Sequence, residues 1–119
     1  MDFVVHRQNT KVFVNINMST SNTSAPIPAN SFSLYALQAW WTGFTASASD
    51  LIIIEATNDI SDTIDSNKVY TQIDAFIPVG TTGSVMLNVE KAGYAIIRIR
   101  YVTSGATGTL NTILNGKIM

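Results

Sequence analysis

Apolar and polar residues alternate with period two through most of this 119-residue chain. Successive side chains of a strand point to opposite faces, so the pattern specifies half-buried strands, one face on a core and one on solvent. In Lys11 to Met18, Val12, Val14, Ile16 and Met18 alternate with Phe13, Asn15 and Asn17, which predicts that the first set faces inward. Ser84 to Glu90 sets Val85, Leu87 and Val89 against Met86, Asn88 and Glu90. Tyr94 to Thr103 is the clearest case, with Ala95, Ile97, Ile99 and Tyr101 on the core face and Arg98 and Arg100 pointing together away from it. Thr109 to Ile118 reads as a final strand with Asn115-Gly116 as a bulge or turn.

The segments between fit the same architecture. Phe32 to Trp41 is apolar on both faces, as for a strand with neighbours on both sides, its Leu and Ala content leaving a short buried helix as the alternative. Leu51 to Thr57 is a β-branched strand, Asn58 to Lys68 a polar loop, and Val69 to Val79 an extended stretch whose Pro78 belongs at an edge or connection. Gly80-Thr81-Thr82-Gly83 reads as a turn and Ser104 to Gly108 as a glycine-rich hairpin loop. Ser19 to Ser31, rich in Ser, Thr and Asn and holding Pro26 and Pro28, reads as a loop or extended arm. Seven or eight strands spaced by about ten residues predict an all-β fold, an antiparallel β-sandwich or jelly roll. Residues 1–30 supply a strand and the arm, as part of the same domain, and residues 31–119 the sandwich.

Composition narrows the function. Seven basic residues face eight acidic ones, and charged residues make up only 13% of the chain, about half the usual share. Such a balance argues against binding nucleic acid through a basic patch and against an electrostatic membrane anchor. Without cysteine there are no disulfides, thiolate metal sites or cysteine nucleophiles. Met1 to Arg7 carries an acid where a secretory signal carries bases, and the longest strongly apolar run, Leu51 to Ile54, is far too short to cross a membrane as a helix. A soluble form is expected.

Routes to catalysis are few. The sole histidine, His6, sits near the N-terminus, no G-x-S-x-G context supports a nucleophile, and no glycine-rich loop opens a helix. The chain is therefore expected to be no enzyme and to hold no cofactor. Asp59, Asp62 and Asp65 are weak metal candidates, since their three-residue spacing does not match a calcium loop. Glu55 and Glu90 are a nominal glycosidase pair whose separation nothing in the sequence sets. Trp40, Trp41 and Phe44 are core or interface residues first and a sugar-stacking platform second. Arg98 and Arg100 share a face and suit pairing with carboxylates across strands or with a neighbouring subunit.

Several segments carry a resemblance: Tyr35 to Gly43 (YALQAWWTG), Ile54 to Asp59 (IEATND), Gly93 to Tyr101 (GYAIIRIRY), Gly105 to Asn111 (GATGTLN) and Leu114 to Lys117 (LNGK). Together they resemble small all-β virion proteins of tailed bacteriophages, in which an S-L-Q-A-x-W-T-G strand leads to a G-S-N-D-G turn, a Y-V-R-L-x-Y strand and an S-G-T-G-T-L-N hairpin. The resemblance spans residues 32–119. It departs at Asn58-Asp59-Ile60, where the family has N-D-G, and the first thirty residues have no counterpart in it. It implies a non-enzymatic virion protein, an auxiliary (decoration) capsid protein or small head-fibre or adaptor component, located in the virion. Other virion proteins and further copies of itself would be its partners. Pro26 and Ile27 of the arm, Trp41, Arg98 and Arg100 are the interface candidates. The Gly93 to Ile99 strand is also similar to one in galactose-binding jelly rolls of the discoidin kind, which implies a carbohydrate-binding module for a host glycan, its site in loops at one end of the sandwich.

Overall fold

A computed structural model describes residues 6–29, 34–60, 63–89 and 94–118. The strands in chain order are β1 (His6–Asn17), β2 (Asn22–Thr23), β3 (Ile27–Pro28), β4 (Leu34–Thr45), β5 (Asp50–Thr57), β6 (Thr71–Phe76), β7 (Gly83–Val89), β8 (Ile96–Thr103) and β9 (Thr107–Ile118). They form two antiparallel sheets. One has the order β1-β9-β4-β7; the other has the order β2-β8-β5-β6, with β3 also on β8. The expected β-sandwich is what forms, and its thinnest Cα extent, 20 Å, is that of two packed layers.

The winding is that of one long hairpin rolled up. First-half strands pair with second-half strands in nested order: β1 with β9, β2 and β3 with β8, β4 with β7, and β5 with β6. Contacts of β4 with β9 and of β5 with β8 then close each sheet. Consecutive strands consequently lie in different sheets, except at β2 to β3 and at β5 to β6. This corrects one local expectation. Ser104 to Ala106 is not a hairpin loop but a crossing from β8 to β9 in the facing sheet.

Alternation sets the core. Tyr35, Leu37, Ala39 and Trp41 of β4, Ile52, Ile54 and Ala56 of β5, Ile97, Ile99 and Tyr101 of β8, and Leu110 and Leu114 of β9 are all buried between the sheets. Each of the leucines and isoleucines among them contributes about 1.5–3 kcal/mol relative to exposure. Phe32 to Trp41 proves to be strand rather than helix, inner strand β4 beginning at Leu34; Phe32 lies outside the described residues. Trp41 donates its indole N–H to the Gly80 carbonyl at 3.1 Å, and its ring lies 5.8 Å from that of Phe76. Gly83, opposite Trp41 in the β4–β7 register, has no room for a side chain: a Cβ there would fall 2.6 Å from the indole.

One expectation about the first thirty residues fails for an identifiable reason. In β1, Phe13 is buried and Val14 is 58% exposed, the reverse of simple alternation. Register shifts on either side of Phe13, and Asn15 at φ +50°, rotate the strand locally. Side chains of β9 stitch the irregularity: Thr112 Oγ1 accepts the Phe13 N–H at 3.1 Å, and Asn111 Oδ1 accepts that of Asn15 at 2.8 Å. The arm is laid along its own β8. Ile27 pairs with Ile97, Ser24 donates its N–H to the Ile99 carbonyl at 2.8 Å, and Ala29 donates to Ala95 at 2.8 Å. Tyr101 anchors the start of this segment by donating to the Met18 carbonyl at 2.9 Å, and the Tyr35 hydroxyl bonds the Ala29 carbonyl at its end.

Candidate functional site

The sandwich presents two outer faces of opposite character. On the outer face of the second sheet, the β5–β8 register sets Glu55 opposite Arg98. Glu55 is only 4% exposed, and Arg98 Nε bonds its carboxylate. Arg98 also places Nη1 3.2 Å from Asp65 Oδ2 and stacks its guanidinium on Tyr70, 3.7 Å from the ring centroid. Tyr70 donates to Asp65 Oδ1 at 2.6 Å, and burial together with that bond and the Asp65 charge pushes the phenol well above its ordinary range. Arg100 Nε lies 3.4 Å from Glu55 Oε2 as an ion pair and makes no hydrogen bond. Arg98 is thereby held inside the fold rather than offered at the surface, while Arg100 stays 40% exposed.

This cluster also places the acidic loop. Asp65 faces Arg98 and Tyr70, and Asp59 donates its N–H to Thr57 Oγ1 at 3.1 Å. Asp62 lies outside the described residues, as do Glu90 and the side chain of His6. Among the described residues, no three His, Asp or Glu side chains converge as a metal site. Asp50, buried where β5 begins, accepts from Ser47 N at 2.6 Å, from the Ser47 hydroxyl, and from Thr103 Oγ1 at 2.7 Å. Burial opposes its charge, but those bonds outweigh it and hold the carboxyl below its ordinary value.

The outer face of the first sheet is a trough. Its floor is Ala36 and Trp40 of β4 with Ile113 and Asn115 of β9, all half-buried; its rims are Asn9 and Lys11 of β1 and Met86 and Asn88 of β7, all exposed. Rows cross the sheet in register, Asn9–Asn115–Ala36–Asn88 and Lys11–Ile113–Gln38–Met86. Two adjoining hollows of about 710 and 640 Å³ share Ala36, Asn115 and Lys117. Asn115 bonds Asn9, and Asn111 donates to Asn15 Oδ1 at 3.1 Å. All described carboxylates (Asp50, Glu55, Asp59, Asp65 and Asp74) lie on β5, β6 or their connection, so this face carries Lys11 and Lys117 without a described acid.

Of the interface candidates, Trp41 lies in the core, its neighbour Trp40 being the tryptophan on the outer face. Pro26 and Ile27 border a 230 Å³ hollow between the arm and β1, with Ile27 also packed on the core. Sequence reasoning missed the trough. Its signal was the outward set of β4 and β9, Ala36, Gln38, Trp40, Asn111, Ile113, Asn115 and Lys117, which only strand order brings together.

No protein-family model matches this sequence, and no curated protein does. Solved structures superpose on the chain. The SPBc2 prophage-derived protein YomS superposes with a TM-score of 0.62 at 9% identity, covering 98% of this chain and 97% of that one. A structure described as Bacillus endospore appendages that form a novel family of disulfide-linked pili superposes with a TM-score of 0.48 at 12% identity, over 100% of this chain and 95% of that one. The first likeness, along nearly the full length of both chains, establishes a common β-sandwich fold.

Proposed function

We propose that this protein is a non-enzymatic structural component of a phage particle, an auxiliary capsid protein or a small head-fibre or adaptor piece that acts by binding other virion proteins. The observation that carries this reading is a set of exposed aliphatics on one side of the sandwich, where, among the described strands, both sheets end in open edges. Val69, Ile77 and Val79, which flank edge strand β6, and Met86 on edge strand β7 are 52–79% exposed. Exposed aliphatics beside unpaired strand edges suit contact with another protein. The described buried carboxylates, by contrast, are held by structural partners, Glu55 by the arginines and Asp50 by Ser47 and Thr103. The shared fold with a prophage-derived protein is compatible with this reading. Particles purified from the encoding phage or prophage and analysed by mass spectrometry should contain the chain at a fixed ratio to the major capsid protein; intact particles lacking it would refute the proposal.

A second reading, attachment to a host glycan, is favoured by the trough. Several amides and two lysines in the two hollows, and Trp40 in a smaller hollow of about 220 Å³ on the same face, suit sugar rings and their hydroxyls, on a sheet face rather than in end loops. Glycans that raise the melting temperature of the native chain but not of Trp40→Ala would establish it; silence across a glycan array would exclude it.

A further inference from the structure

The sandwich guards its strand edges unequally. On one side, β1 is broken by two register shifts and carries Lys11, and the arm puts Pro26 and Pro28 beside β8. Bulges, charges and prolines are the devices by which edge strands avoid pairing with other chains. On the other side, β6 carries Asp74. Strand β7 has none of these protections: Gly83-Ser84-Val85-Met86-Leu87-Asn88-Val89 contains no charge and no proline, and its pairing with β4 runs through seven consecutive residues without a bulge. Among the described strands, nothing pairs with its outer edge.

We propose that β7 pairs antiparallel with β7 of a second copy about a two-fold axis at Met86, joining two four-stranded sheets into one continuous sheet. This deepens the reading of the protein as an assembly component by naming its first partner. The strand is self-complementary in that register. Met86, 52% exposed, meets its own copy, Ser84 lies opposite Asn88, Val85 opposite Leu87, and Gly83 opposite Val89. Val85 and Leu87 point toward the core yet remain only partly buried, because none of the described strands lies beyond them in the single chain. A second copy covers each with the other and extends the core across the axis. The outward positions Ser84 and Asn88 meet as a hydroxyl–amide pair, and no like charges oppose one another anywhere along the strand. An isologous contact of this kind closes on itself and makes a dimer rather than a filament.

The test uses the absence of native cysteine. In Met86→Cys the two thiols face each other across the axis, within the Cα separation a disulfide spans. Gln38→Cys, one strand further in on the same face, puts its thiols about 14 Å apart at the usual strand spacing and serves as the control. Under mild oxidation Met86→Cys should convert almost wholly to a covalent dimer, while Gln38→Cys forms no cross-link and runs as a single chain under denaturing conditions. By light scattering the native chain should run at twice its 12.9 kDa mass, and Met86→Lys, with unchanged circular dichroism, at once that mass. Equal cross-linking of the two cysteine variants, preferential self-linking of Ser84→Cys, or a native chain monomeric at every concentration would overturn the proposal. A monomer that is still found in purified particles would remove the dimer and leave the structural role standing.

Discussion

Arg98 balances the least hydrated charge in the described chain, and its removal strands Glu55. Arg98→Ala should destabilise the fold by about 2–4 kcal/mol in urea titration, toward the lower part of the range for breaking a buried pair because Arg98 is one-fifth exposed and Arg100 stays close. Replacing Glu55 and Arg98 together by apolar residues should cost less than Arg98→Ala alone, since the burial penalty then disappears. Gly83→Ala should lower stability by about 1–3 kcal/mol, because its methyl group would enter the Trp41 ring and neither backbone strand can withdraw freely. Asp50 gives the acid response a direction. Its folded pKa is depressed relative to the unfolded chain, so its contribution is complete above the ordinary aspartate value near 3.9 and is lost as pH falls through the lower folded value. Asp50→Asn should therefore lower the melting temperature at pH 7 and flatten its decline below about pH 4. Tyr35, whose pKa burial pushes up to about 12, acts at the other end: the folded chain retains a proton that the unfolded chain releases, and stability falls as pH rises from about 10.

Elements were legible to different degrees, and the differences have physical causes. β8 follows its sequence pattern residue for residue because it is a central strand with one wholly apolar face, and a register slip would put Ile97, Ile99 and Tyr101 in water. Ile97→Ala should cost about 2–5 kcal/mol by thermal or chemical unfolding. β1 misled for the opposite reason: it is an edge strand with polar residues on both sides of its bulges, and Thr112 and Asn111, nearly a hundred residues away, decide which way Phe13 turns. Thr112→Val keeps the shape of the side chain but leaves the Phe13 N–H without its acceptor, and should cost about 1–3 kcal/mol. In the arm, Pro26 and Pro28 mark irregular or extended backbone. They do not reveal that the chain beside them borrows its hydrogen bonds from β8.

At the scale of the molecule, alternation and turn chemistry were enough to indicate two antiparallel layers, because burying one face of each strand leaves few other solutions. Strand order was not legible. The nested winding pairs β1 with β9 and β2 with β8 across most of the chain, and such long-range pairing leaves no local mark. The candidate surfaces depend on that order: it gathers the amides and lysines on one face, sets the described carboxylates on the other sheet, and leaves β6 and β7 as the edges of one side. The low charge content of the chain takes on a specific meaning in that arrangement. Arg98 is held by Glu55 and Asp65, and Arg100 lies beside Glu55, while Val69, Ile77, Val79 and Met86 on the side of β6 and β7 are exposed. The measurement that bears most directly on a structural role is quantitative mass spectrometry of purified particles, with dissociated heads and tails analysed separately. The expected result is the chain in one of those fractions at a constant copy ratio to its major protein; recovery only from the particle-free lysate, with intact particles devoid of it, would contradict the account.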